Sequence, residues 1–223
     1  MKVTARQWSW LFTYQNSRTS PDLIVPVDRD VRLLLTSLDV IHGFFVPQLR
    51  IKQDAVPGMT TRVWFRATEP GTADILCSQY CGERHSAMMA TLAAVPVDLF
   101  ASWYAGGPIA IPGLKTAASA GELLLQVKGC LGCHSLDGSR MVGPTFKGLY
   151  GTRVRVLANR GERTVAVDEE YLCTSLFDPG ADIAVGYRNL MPPETGRIND
   201  REFGEIAAFL RQLGAGFGAP STP

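Results

Sequence analysis

The three histidines of this chain all lie in stretches that can hold metal, and four of its five cysteines lie there with them. Cys130, Cys133 and His134 belong to the pentapeptide C-L-G-C-H. Cys77, Cys81, His85 and Met88 belong to C-S-Q-Y-C-G-E-R-H-S-A-M, and His42 sits in the strand-like run S-L-D-V-I-H-G-F-F that begins at Ser37. One-electron chemistry at two redox centres is what this pattern best serves.

The pentapeptide matches the c-type haem attachment signature, in which two thiols add across the vinyl groups and the adjacent imidazole binds the iron. A region of about 100 residues gains from such a tether, because it buries too little surface to hold a haem by packing alone. The sixth iron ligand must come from downstream. Met191, in G-Y-R-N-L-M just before Pro192 and Pro193, is the candidate, since those prolines keep the chain extended and the thioether out of a helix. Met141 lies closer to the attachment site and reads as core filler. Methionine ligation raises the reduction potential and closes the coordination sphere, which favours electron transfer over chemistry at iron.

Cys77 and Cys81, four apart on a loop, can bridge two metal ions. His85 and Met88 follow at spacings of four and three, and His42 can bring a second imidazole from another strand. Thiolates, imidazoles and a thioether together favour copper. A single blue copper would need only one of the cysteines, and a structural zinc would leave Met88 without a purpose. Met89 reads as core at the start of a strand. A mixed-valence pair sharing both sulfurs spreads its charge over two metals, so little rearranges when an electron is gained or lost. No nucleophile stands beside a base, and with both centres filled no histidine is left for acid–base catalysis.

The elements that must position these residues change character along the chain. Residues 2–98 read as β: the runs 3–14, 31–38, 61–68 and 88–97 are rich in Val, Leu, Thr and aromatics, with turns such as V-P-G-M at 56–59 and E-P-G-T at 69–72 between them. That spacing predicts a Greek-key sandwich or barrel over residues 1–104. The Gly- and Pro-rich stretch 105–114 reads as a linker. Over 115–223 the pattern turns helical. Helices are expected at 117–128, with Ser119 and Glu122 as a capping box, at 168–177, which opens on three acids, and at 200–213, where Phe203, Ile206, Ala207, Leu210 and Leu213 share a face that stops at Gly214. The expectation is therefore a second, all-α domain ending in a frayed tail from Gly214 onward. Arg153, Arg155, Arg160 and Arg163 read as a solvated loop or a contact for haem propionates or a donor, and Cys173 as a small buried hydrophobe on a helix.

A net charge of +1 without a basic block or an acidic tail argues against nucleic acid as a partner. Five cysteines would suit disulfides in an exported protein, but both paired spacings call for thiolate or thioether sulfur. No apolar run approaches the roughly 18 residues of a membrane helix, and no signal peptide precedes the first strand pattern. An N-terminal anchor ahead of residue 1 is expected in the natural protein.

Taken together, the motifs resemble the soluble copper A domain of subunit II of haem–copper cytochrome c oxidases, followed by the cytochrome c domain fused behind it in caa3-type enzymes. S-L-D-V-I-H-G-F-F-V-P from Ser37, D-A-V-P-G from Asp54 and the loop from Cys77 to Met88 carry the first half. C-L-G-C-H, G-P-T-F-K-G-L-Y-G from Gly143 and the stretch from Gly186 through Met191 to Pro193 carry the second. The resemblance implies a cupredoxin-like copper domain followed by a class I cytochrome c domain, with two copper ions and one covalent haem c. The copper ligands it implies are His42, Cys77, Cys81, His85, Met88 and the backbone carbonyl of Gln79; for the haem it implies attachment at Cys130 and Cys133, with His134 and Met191 on the iron. The family usually has Glu at position 79, whose carboxylate helps hold magnesium against subunit I; Gln79 keeps the carbonyl and lacks the carboxylate. Pro144 is implied to orient the proximal imidazole through its carbonyl.

The aromatic run from Gln7 to Tyr14 resembles the family's aromatic cluster, which implies Trp8 as the exposed residue through which electrons enter. Trp10, Phe12 and Tyr14 read as one face of a strand. The implied function is a relay on the extracytoplasmic, periplasm-facing side of a bacterial membrane. An external cytochrome or other small donor reduces the haem, the haem reduces the copper pair, and the copper passes electrons to haem in a membrane-embedded subunit I that reduces oxygen to water. The equivalent subunit of a copper-containing nitric oxide reductase fits the same motifs, Gln79 included.

Overall fold

Val31, Leu33 and Leu35 alternate with Arg32, Leu34 and Thr36, and Trp10 and Phe12 alternate with Ser9, Leu11 and Thr13; in each run the first-named set is buried. This period of two makes strands with one dry face. The computed structural model of the chain describes residues 1–112, 114, 117, 119–159 and 161–215. Met1–Thr116 together with Gln126–Gly132 form one unit, and Ala117–Leu125 with Cys133–Pro223 form a second.

The first unit opens with β1 (Lys2–Arg6), β2 (Ser9–Thr13), β3 (Thr19–Ser20), β4 (Leu23–Pro26) and β5 (Asp30–Ser37). It continues with β6 (His42–Val46), β7 (Ile51–Ala55), β8 (Thr61–Arg66), β9 (Gly71–Cys77) and β10 (Met89–Val95). Two five-stranded sheets result, ordered β3-β2-β1-β5-β8 and β4-β10-β9-β6-β7. Neighbours pair antiparallel except β1 with β5 and β10 with β4, which run parallel. Trp10 and Phe12 of one sheet meet Phe44 of the other edge-on, at centroid separations of 5.6 and 6.5 Å, so the aromatic run helps close the sandwich.

Tyr14 locks a corner of this sandwich. Its hydroxyl donates to the Ile24 carbonyl at 2.9 Å and accepts from the Ile24 amide at 2.7 Å. Burial pushes its pKa above the ordinary phenol range, so the donor stays protonated. The helix α1 (Val97–Tyr104) follows β10 and sets Trp103 against the Tyr14 ring at 4.8 Å. Met88 is fully buried, whereas Met89, expected in the core, is exposed because adjacent residues at a strand start face opposite sides.

In the second unit the all-α domain expected from sequence is not found. Between α2 (Ala120–Val127) and α4 (Asp200–Ala215) lie β11 (Arg153–Ala158), β12 (Gly161–Ala166), α3 (Glu169–Phe177) and β13 (Ile183–Ala184), and the three strands form an antiparallel sheet in the order β12-β11-β13. The β-sandwich of the first unit is the cupredoxin-like part of the chain, and the helices are short and interspersed. The arginines read as a loop face explain the difference. Val156 is fully buried while Arg153 and Arg155 are exposed, a strand alternation disguised by its charged half. Arg155 pairs across the hairpin with Glu162, and Arg163 holds Asp182 through three bonds of 2.7, 2.8 and 3.1 Å. Arg160 and the tail beyond residue 215 lie outside the described residues.

The helices themselves follow the expected signals. Ser119 Oγ accepts from the Glu122 amide at 3.2 Å ahead of α2, and the Asp168 carboxylate accepts from the Tyr171 amide at 2.9 Å ahead of α3. In α4 the buried stripe is Ile206, Ala207 and Leu210, flanked by half-buried Phe203 and Leu213. A Cβ on Gly121 would fall 2.3 Å from the Glu205 carbonyl oxygen and 2.5 Å from Phe209 Cβ, so α2 and α4 approach this closely only because residue 121 has no side chain. Cys173 is exposed rather than buried, because Leu172 and Leu176 occupy the dry face of α3. No helix among the described residues is long and apolar enough to cross a membrane.

Candidate metal centre

Three pieces of the second sheet converge on one point. His42 opens β6 and is fully buried, Cys77 closes β9, and the loop that returns the chain to β10 carries Gln79, Cys81, His85 and Met88. Backbone bonds from Ser78 N to Gly43 O (2.9 Å) and from Cys77 N to Met88 O (3.2 Å) hold both ends of that loop against the neighbouring strands. Gly43 permits the approach: a Cβ there would stand 2.3 Å from Ser78 Oγ and 3.1 Å from the Gln79 amide nitrogen.

The donor atoms meet as two matched halves. Cys77 Sγ and Cys81 Sγ are 3.7 Å apart. His42 Nδ1 lies 3.9 Å from Cys77 Sγ, and His85 Nδ1 lies 3.5 Å from Cys81 Sγ. The Gln79 carbonyl oxygen is 3.2 Å from Cys77 Sγ, and Met88 Sδ is 3.9 Å from Cys81 Sγ. The donor atoms of His42, Cys77 and Cys81 all fall within 4.8 Å of one another. Each sulfur thus has one imidazole nitrogen and one weaker donor beside it, and the two sulfurs lie between the halves. The ligand types suit copper, and the doubled set suits two ions sharing both sulfurs.

Electrostatics divides the two thiols. Burial opposes ionisation of Cys77, but hydrogen bonds from His42 and from the Gly43 and Gln79 backbone outweigh it and bring its pKa down to about 6. Burial and the neighbouring Cys77 charge push Cys81 up to about 12. One proton leaves this pair readily and the other stays until a cation displaces it.

The sequence reading missed two residues that complete the site. The His42 ring donates from Nε2 to Asp39 Oδ1 at 2.8 Å, which turns Nδ1 toward Cys77. Burial works against a charged His42, yet the Asp39 carboxylate and Cys77 carry its pKa above the ordinary imidazole value. The Gln7 amide donates to Asp39 Oδ2 at 2.7 Å, and Gln7 Nε2 donates to the Cys81 carbonyl, also at 2.7 Å. The only sequence cue was an acid three residues ahead of a histidine. Trp8, expected to be exposed, is 9% exposed: its indole N–H donates to the Cys81 carbonyl at 3.1 Å and its ring lies close beside Gly82.

At the C-L-G-C-H pentapeptide, the His134 Nδ1–H donates to the Pro144 carbonyl at 2.6 Å, and its ring stacks on Phe146 with centroids 4.5 Å apart. Burial lowers the pKa of this imidazole while the Pro144 bond opposes that shift, so a neutral ring with Nε2 free to bind metal is favoured. A Cβ on Gly143 would fall 2.6 to 2.9 Å from three atoms of the ring. Cys130 lies in a single helical turn over Cys130–Gly132. Met191 is half-buried in an irregular stretch ahead of exposed Pro192 and Pro193.

Comparison with known proteins bears on the first of these sites. The family profile described as cytochrome C oxidase subunit II, periplasmic domain, matches residues 18–95. Residues 18–95 form a cytochrome c oxidase subunit II-like periplasmic domain. The chain is 31% identical over 222 residues to cytochrome c oxidase subunit 2 of Alkalihalophilus pseudofirmus, an alignment covering 96% of this chain and 60% of that protein. It is 45% identical over 103 residues to cytochrome c oxidase subunit 2 of Thermostichus vulcanus, covering 45% of this chain and 31% of that one. The solved periplasmic domain of subunit II of cytochrome oxidase (CoxB) of Bradyrhizobium japonicum is 32% identical, with a TM-score of 0.44, over 46% of this chain and 87% of that chain. The chain thus spans about 60% of the length of the first of these curated relatives. All six donors of the doubled set lie within the subunit II-like segment, as does Asp39, whereas Gln7 and Trp8 precede it.

Proposed function

We propose that this chain is the electron relay of a terminal respiratory oxidase, taking electrons from an external cytochrome or small redox donor and delivering them to a membrane-embedded subunit I that reduces oxygen to water. The observation that carries this reading is the pair of sulfurs 3.7 Å apart, each with an imidazole Nδ1 beside it. His42, Cys77, Cys81, His85, Met88 and the Gln79 carbonyl would hold two copper ions. Cys130 and Cys133 would tether a haem c, with His134 and Met191 on its iron. When bound, these groups supply one-electron transfer at low rearrangement cost.

The residues of the chain do the rest. Burial of His42 and Met88 excludes water from one side of the copper ligands. Asp39 selects the His42 tautomer, and Pro144 does the same for His134. With its low pKa, the Cys77 thiol is ionised near neutrality, which prepares it for a soft cation. Leu38, Val40, Ile41 and Tyr80 are exposed apolar side chains next in sequence to the copper ligands, a contact surface suited to the membrane subunit on the extracytoplasmic side.

Metal analysis with optical and electron paramagnetic resonance spectra of the purified chain, expressed with haem attachment and reconstituted with copper, tests the reading. The expected result is two coppers with a seven-line hyperfine pattern and one covalent low-spin haem. One copper per chain, or zinc alone, overturns it.

A further inference from the structure

Gln7 touches both arms of the metal centre. Its backbone N–H reaches Asp39 Oδ2 at 2.7 Å, and Asp39 in turn holds the Nε2–H of His42 at 2.8 Å. Its side-chain Nε2 reaches the Cys81 carbonyl at 2.7 Å, where the Trp8 indole also donates at 3.1 Å. The Asp39 carboxylate is saturated from its own loop as well: the Val40 amide donates to Oδ1 at 2.7 Å and Ser37 Oγ at 3.2 Å. These contacts lie in the first unit, and they join the turn between β1 and β2 to two ligands carried by different segments of the other sheet.

We propose that Asp39 and Gln7 form a brace that couples the His42 arm of the centre to the Cys81 arm. This inference rests on the copper reading above. Asp39 is the positioning residue for the imidazole: it fixes the tautomer that turns Nδ1 toward Cys77, and its charge makes the ring a more electron-rich ligand. Gln7 is the positioning residue for the thiolate loop, because its amide anchors the Cys81 backbone to the element that anchors Asp39. With both arms referred to one turn, their spacing is set before metal arrives and is held when the charge on the centre changes. Gly82 completes the fit. Its φ of +114° is a conformation that residues with a side chain rarely adopt, and a Cβ there would crowd Gln7 Nε2 at 3.0 Å and the Trp8 ring at 3.1 Å.

The test compares the full chain with Asp39→Asn, Asp39→Ala, Gln7→Ala and the Asp39→Ala/Gln7→Ala double variant. Copper affinity is measured by chelator competition, together with the hyperfine pattern, the visible spectrum and the reduction potential. Every variant keeps all six ligands, so two coppers are still expected, bound roughly 10- to 100-fold more weakly, as is typical when a ligand loses its supporting hydrogen bond. Asp39→Asn, which keeps the shape and removes the charge, is expected to raise the reduction potential and alter the spectrum. The double variant is expected to lose less affinity than the product of the single losses, because the two residues act through one turn. Thermal unfolding of the metal-free proteins separates folding from binding, and Asp39→Asn serves should Asp39→Ala fail to fold. Single variants with wild-type affinity, spectrum and potential, or a double variant whose loss equals the product, overturn the brace. A wild-type chain that does not bind two coppers overturns the copper reading instead, before any variant is compared.

Discussion

Cys77 Sγ and Cys81 Sγ lie 3.7 Å apart although one ends a strand and the other sits four residues along an irregular loop. The separation is held by the backbone, since Ser78 bonds to Gly43 and Cys77 bonds to Met88 across strand boundaries. Two thiols at that distance, each with its own imidazole, are an arrangement that a single metal ion would use only in part.

Replacing Cys81 with Ser therefore removes a bridge while leaving Cys77 and His42 in place. The expected product binds at most one copper, and its electron paramagnetic resonance signal collapses from seven hyperfine lines to four. Metal analysis alongside the spectrum checks this.

Copper uptake should depend on pH in a defined direction. His42 and the loop backbone hold Cys77 down near 6 against the opposing effect of burial, while burial and the Cys77 charge hold Cys81 up near 12. Above the raised His42 value and below that of Cys81, the metal-free pair keeps one proton that copper must displace, so affinity rises about tenfold per pH unit. At lower pH the protons taken up by His42 and then, near 6, by Cys77 must be displaced as well, and the dependence steepens. Chelator competition across that range measures the slope. In the metal-free protein, peptide mapping after brief alkylation at neutral pH should find Cys77 modified ahead of Cys81.

Gly43→Ala tests the approach of β6 to the cysteine loop. Ser78 Oγ can rotate away from the new methyl group, but the Gln79 amide, 3.1 Å from it, belongs to the backbone and must shift. A loss of about 1–3 kcal/mol is expected from such overpacking. It should appear as a lowered unfolding temperature together with weakened copper binding, because the displaced peptide carries the Gln79 carbonyl.

Gly143→Ala makes the corresponding test at the pentapeptide. The new Cβ would fall 2.6 to 2.9 Å from the His134 ring, between the Cys133 carbonyl that bonds residue 143 and the Pro144 carbonyl that orients the imidazole. About 1–3 kcal/mol of stability should be lost. Thioether attachment is expected to survive, while the optical spectrum should show a weakened iron–histidine bond.

The donor set was legible because cysteine and histidine are scarce and their spacing is local: Cys77 to Met88 lies on one loop, and only His42 had to be brought from elsewhere. The buried face of Trp10, Phe12 and Tyr14 was legible for the same kind of reason, since period-two alternation needs only neighbours along the chain. Asp39 and Gln7 were not, because a hydrogen bond between residues 32 apart, or 74 apart, leaves no pattern in either segment. The sheet of β11, β12 and β13 was hidden differently. Arginine on the wet face of a strand looks like a basic loop until its valines are seen to share a core.

From sequence alone came the candidate soft donors, the haem-type pentapeptide and the strand character of the first hundred residues, all of which depend on residue type and short spacing. Tertiary structure decided that Trp8 is covered, that Cys173 is not, that the second unit mixes strand with helix, and that one turn ties His42 to Cys81. Those outcomes depend on which faces meet across the chain, and packing between distant segments is not encoded in any one of them.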